Sequence, residues 1–184
     1  MFLSKGKLIK KRSKNDLIVQ RYGGMYVLKD KKAHIWLVAR DRFYAPKTLE
    51  EETLMEQLQE DGLMIKADKT KPFWEYCVLT DNVLCVNWGK GTFPLRGTEK
   101  KIMLWFKDGK RRLRMEELVF LIENNIEPSE YENDEFGVAL SERIYRSRIH
   151  VDNAFRREMS SAKCRDEVVT AVLRLFGKDR LYLL

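Results

Sequence analysis

Residues 16–30, DLIVQRYGGMYVLKD, set two apolar, β-prone runs on either side of Gly23-Gly24. A two-residue hairpin turn needs backbone that tolerates positive φ, and glycine supplies it without steric cost, so the stretch predicts a β-hairpin. The next thirty residues carry helical punctuation. Ile35, Trp36, Val38 and Ala39 predict a helix over 31–42, and Pro46 falls in the next connection. Thr48 and Glu51 stand in capping-box spacing before Leu54, Met55 and Leu58, and Gly62 is placed to end that second helix. LMIKAD then predicts a strand, residues 69–71 a turn, and PFWEYCVLT the returning strand.

The pattern then repeats in degenerate form. Asp81-Asn82 separates YCVLT from VLCVNW and predicts a second hairpin. GKGTFPLRG leads to Thr98 as a helix N-cap, and Ile102, Met103, Trp105 and Phe106 mark the helix. Leu118, Val119, Leu121, Ile122 and Ile126 share one face of the next helix, which Pro128 closes. HIWLVARDRFYAPKTLEEETLMEQLQEDGL and KIMLWFKDGKRRLRMEELVFLIENNIEP thus align at an offset of about 66 residues, as a structural duplication would. The remainder reads as a polar linker (SEYENDEFG), a long helix over 138–160, a buried helix over 165–176 stopped by Gly177, and a terminal strand, RLYLL.

The expected organisation is therefore α+β: a basic flexible arm (1–16), two tandem winged-helix-like units of hairpin, helix, helix and strand (17–75 and 76–130), and a C-terminal segment of helices and strand (131–184). Of the 184 residues, 44% are hydrophobic, enough for one sizeable core or two small ones. The longest apolar runs fall far short of the ~20 residues that a membrane span needs. The amino end has lysines but no apolar run, so it is not a secretory signal, which points to the cytoplasm. Cys77, Cys85 and Cys164 are odd in number, and with His34 and His150 they form no metal spacing.

No catalytic constellation emerges. Gly89-Lys90-Gly91 is not a phosphate-cradling loop, and DEFG at 134–137 has no accompanying kinase motifs. Glu50, Glu51, Glu52, Glu116 and Glu117 sit in first helical turns, where the helix dipole favours them. A non-enzymatic protein without cofactor is expected.

Net charge is +7 and the pI about 9.3, which favours an anionic partner, nucleic acid first. Three basic features carry it. The arm holds Lys5, Lys7, Lys10, Lys11, Arg12 and Lys14. The connection between the later helices holds Lys107, Lys110, Arg111, Arg112 and Arg114, and the long helix presents Arg143, Arg146 and Arg157 on one face. Arginine meets phosphate bidentately, so the last two groups, eight residues in all, are the expected phosphate contacts. Phe73, Trp74 and Tyr76 follow the basic KADKTKP and read either as a wing or stacking surface or as a half-buried strand.

YVLKDKKAHIWLVARDRF followed by EQLQEDGLMI resembles winged-helix proteins, and more narrowly the small winged-helix peptide-recognition domains of modified-peptide biosynthesis. The resemblance covers residues 17–66 and, more faintly, 76–128; only RDRFYAPK stands where the family has a middle helix. It implies either a regulator binding double-stranded DNA or an adaptor that takes a peptide strand on a hairpin edge. A third possibility is an assembly protein, such as a homodimer, using the terminal strand and the long helix.

Overall fold

The hairpin forms, but one residue earlier than Gly23-Gly24 suggests. In the computed structural model β3 (Asp16–Arg21) pairs with β4 (Gly24–Lys29), Arg21 opposite Gly24, so the turn is Tyr22-Gly23. Both turn residues have positive φ, 46° and 83°. This register keeps Leu17, Val19 and Leu28 together on the buried face; a one-residue slip would turn one strand's apolar set to solvent.

The structure describes residues 1–13, 15–71, 73–87, 94–108, 113–128 and 162–184. Among these the chain is mixed α+β, with six helices and three small antiparallel sheets. Where an arm is expected over 1–16, residues 2–4 and 7–13 form strands. β1 (Phe2–Ser4) pairs with β5 (Met64–Lys66), and β2 (Lys7–Ser13) is the third strand of the hairpin sheet, ordered β2-β3-β4. β2 is an edge strand with bulges after Leu8 and Lys11, and lysines on such a strand discourage further pairing. Its polarity is what disguises it as a tail.

The first helical pair matches expectation in its signals. α1 (Asp30–Val38) buries Ile35 and Trp36. α2 (Leu49–Glu60) is capped by Thr48, whose hydroxyl accepts from the Glu51 amide at 3.2 Å. Gly62, at φ +71°, ends it, and the Leu63 amide reaches back to the Leu58 carbonyl at 2.7 Å. Between α1 and α2 there is no middle helix. Phe2, Leu17, Val19, Leu28, Trp36, Met55 and Leu58 form the core of this half.

The second half departs from a repeat. PFWEYCVLT is not a strand: α3 (Trp74–Thr80) is a helix that buries Val78 and Leu79. Asp81-Asn82 is therefore its end rather than a hairpin turn, and the Asn82 side-chain amide donates to the Val78 carbonyl at 2.6 Å. β6 (Leu84–Val86) finds its partner about a hundred residues on, in β7 (Leu181–Leu183), with Leu84 opposite Leu183. α4 (Gly97–Asp108), α5 (Met115–Glu123) and α6 (Ala162–Gly177) complete the half around Leu79, Ile102, Phe106, Leu118, Val172 and Phe176. Thr98 lies inside α4, its hydroxyl on the Glu167 carboxylate of α6. Gly177 is the last residue of α6, packed on Asp41. A winged-helix unit needs a hairpin, and among the described residues of this half β6 pairs only with the distant β7, so the tandem arrangement is not confirmed. The linker and the long helix expected over 138–160 lie outside the described residues.

The two halves share β1. Strand alternation sends Phe2 into the first core and Leu3 into the second. The chain's ends meet there as well: the Gly6 amide donates to the Leu183 carbonyl at 2.7 Å. Arg40, stacked on Trp36, pairs with Asp179 in the α6–β7 turn. No described helix is long and apolar enough to cross a membrane.

Candidate functional site

Residues 5–32 contain ten lysines and arginines against two acids, Asp16 and Asp30, an excess larger than that of the whole chain. The fold places Lys7, Lys10, Lys11, Arg12, Arg21 and Lys29 on the β2-β3-β4 sheet and Lys31 and Lys32 at the start of α1. Register places Lys10 opposite Ile18 and Ile18 opposite Val27, and places Lys7 opposite Gln20 and Gln20 opposite Met25. The solvent face is thus a short apolar strip with lysines along its edge. Met25 and Val27 are exposed on it, and Ile9, in the bulge between Leu8 and Lys10, is exposed as well. Lys10, Lys11, Arg12 and Lys29 are exposed and Lys7 is half-buried. Arg12 approaches Asp16 at 3.9 Å and Lys31 pairs with Glu50 at 2.5 Å. Lys7, Lys10, Lys11 and Lys29 have no acidic partner among the described residues.

The two buried-side cations of this region, Lys5 and Arg21, lie where the sheet meets α2. Lys5 is 9% exposed. Burial, then the neighbouring Arg21, push its ammonium down to about 8. Arg21 lays its guanidinium over the Tyr22 ring, 4.6 Å from the centroid, and over Gly62.

The sequence singled out other basic residues. Lys107 is half-buried in the last turn of α4, and Arg114 is exposed at the start of α5, where its amide donates to the Glu117 carboxylate at 2.8 Å. Lys110, Arg111, Arg112, Arg143, Arg146 and Arg157, with Lys14, lie outside the described residues. The sequence marks the 1–16 lysines as basic, but not as a fixed surface. The signal that finds them is the pair of short apolar runs FL and LI at 2–3 and 8–9, which anchor two strands.

Phe73, Trp74 and Tyr76 stand at the start of α3 rather than on a strand. Arg165 is buried with its guanidinium 3.5 Å from the Phe73 centroid, and Lys69 lies 5.9 Å from Trp74, which also meets Phe43 edge-on at 4.7 Å. The chain's own cations therefore engage two of these rings. The adjoining cleft, about 350 Å³, also carries Glu75 and Asp166, which repel phosphate. It is a poor continuation of the basic surface. Among the described residues no group of His, Cys, Asp or Glu is arranged to hold a metal ion.

The fold and surface define a mixed α+β protein with one strongly basic sheet. Comparison with protein-family models, curated proteins and solved structures finds no match.

Proposed function

We propose that this chain is a nucleic-acid-binding protein that grips the phosphates of double-stranded DNA with the β2-β3-β4 sheet. The observation that carries this reading is the concentration of unpaired cations on one three-stranded sheet: Lys7, Lys10, Lys11 and Lys29 face few carboxylates and no acidic partner among the described residues. Such contacts position a duplex without reading its sequence. Lys107, Lys110, Arg111, Arg112, Arg114, Arg143, Arg146 and Arg157 are a proposed second footprint. The order of three strands, two helices and a strand over residues 7–66 supports a single winged-helix-like unit with the sheet as its wing.

Fluorescence anisotropy with a random-sequence duplex over a salt series tests the proposal. Replacing Lys10, Lys11 and Arg12 together by glutamate should weaken binding at least tenfold and flatten the log–log salt slope by about two to three. An unchanged slope removes the sheet from the interface. Charge reversal at Arg111 and Arg112 tests the second footprint in the same assay.

A second reading has its own observation. Among the described residues β4 pairs on one side only, and Met25 and Val27 are exposed on its face, an edge suited to an added peptide strand. An acidic peptide that binds and perturbs β4 amides, with no duplex affinity, would favour this adaptor role. The assembly reading loses one support, because the terminal strand is taken up internally by β6.

A further inference from the structure

We propose that Lys5 and Arg21 form a phosphate-type oxyanion site at the Gly62–Leu63 turn, where the basic sheet meets the end of α2. The main chain of Lys5 is clamped on both sides: its amide donates to the Leu63 carbonyl at 2.8 Å and its carbonyl accepts from the Trp36 indole at 3.2 Å. The next residue, Gly6, is bonded to Leu183, and a Cβ there would meet Val19 and lie 3.7 Å from Arg21 Cβ. The Lys5 main chain is therefore fixed between the Leu63 turn and Trp36, with Arg21 on the neighbouring strand.

Neither cation has a carboxylate partner among the described residues. Lys5 is 9% exposed and has no acidic partner among the described residues. The charged group that acts on it is another cation, Arg21, whose Nε is buried without a hydrogen-bond acceptor. Proteins rarely bury lysine unpaired, and two adjacent unpaired cations add repulsion to the desolvation cost. The C-terminal end of α2 offers Arg21 a partial negative charge, yet its Nε finds no acceptor there. A bound oxyanion removes both penalties at once. Three ammonium donors and the guanidinium fork match the several oxygens of a phosphate better than a single carboxylate. The site deepens the nucleic-acid reading and rests on it for the source of the phosphate, a backbone group of the duplex lying along the sheet; the same chemistry would take free phosphate.

Thermal melts of the full chain in sodium phosphate and in sodium chloride, matched in ionic strength, test the site. Phosphate should raise the wild-type midpoint by about 3 °C over chloride. K5M and R21M should show no phosphate-specific gain, and K5M, which relieves a buried charge, keeps the test usable if R21M does not fold. No gain in the wild type, or an equal gain in the variants, overturns the site. Duplex titration separates the sources. About a tenfold weaker duplex affinity in K5M assigns the site to the backbone. A phosphate gain lost in K5M with duplex affinity unchanged assigns it to free phosphate, and a phosphate gain in a protein that binds no duplex retains the site while rejecting the nucleic-acid function.

Discussion

At the residue scale, Lys5 joins sequence, stability and function. Its folded pKa of about 8 lies below the ordinary 10.5, so between those values the unfolded chain binds more protons than the folded one. Stability therefore rises with pH across that window, and the penalty of the buried charge is full below it. Lys5→Met should stabilise the protein near neutral pH by on the order of 1 kcal/mol, less than the full shift implies because the ammonium keeps some contact with water. The advantage should fade as pH climbs from about 8 towards 10. Denaturant titrations at both ends of the window check this, and a gain independent of pH would show that packing, not charge, is responsible. Lys5 is legible in the sequence as basic, but its burial beside Arg21 is not. That pairing depends on the β1–β5 and β2–β3 registers, which no local pattern around residue 5 encodes.

At the scale of elements, what is locally determined is readable and what is set by distant partners is not. α2 carries its own start and stop signals in Thr48, Glu51 and Gly62, and it forms where they place it. Thr48→Ala should cost about 1 kcal/mol by leaving the Glu51 amide without its acceptor. Loss of helix signal confined to residues 49–52 in amide exchange would locate the effect, and an unchanged denaturation midpoint would deny the cap a stabilising role. α3 reads as a strand because Trp74, Tyr76, Cys77, Val78 and Thr80 favour strands, while helical spacing over seven residues is too short to stand out. The expected return strand for β6 is missing because its true partner, β7, lies at the far end of the sequence. β2 is hidden for the opposite reason: it is an edge strand whose exposed lysines look like those of an unstructured tail. The lysines of the candidate interface are in view, then, while the sheet that fixes them is not.

At the scale of the whole molecule, an ion pair joins the halves beside the shared strand β1. Arg40 and Asp179 are 11% and 20% exposed at their side chains, and they tie the end of α1 to the α6–β7 turn. Arg40→Met should cost about 1–2 kcal/mol, since it takes the guanidinium away from a mostly buried carboxylate. Asp179→Asn should cost less, and the double variant less than the sum, if the pair is coupled. Additive losses in that cycle would mean the two side chains act separately. Leu183, which accepts from the Gly6 amide, follows the same turn, so loosening the α6–β7 turn should also reduce the phosphate gain proposed for Lys5.

The strand that serves two cores also sets an order of events in time. Phe2 and Leu3 leave the ribosome before Met64, their partner strand's first residue, has been made, and long before Leu183 exists to receive the Gly6 amide. Until then two large apolar side chains stay without their pockets. Closing such long loops is slow compared with hairpin or helix formation. The β2-β3-β4 sheet can assemble from neighbouring residues as soon as they emerge, whereas β1 has to wait. A nascent chain of this kind would spend much of its synthesis with its basic face in place and its two cores not yet joined, the interval in which a chaperone binding short apolar segments would find most to hold.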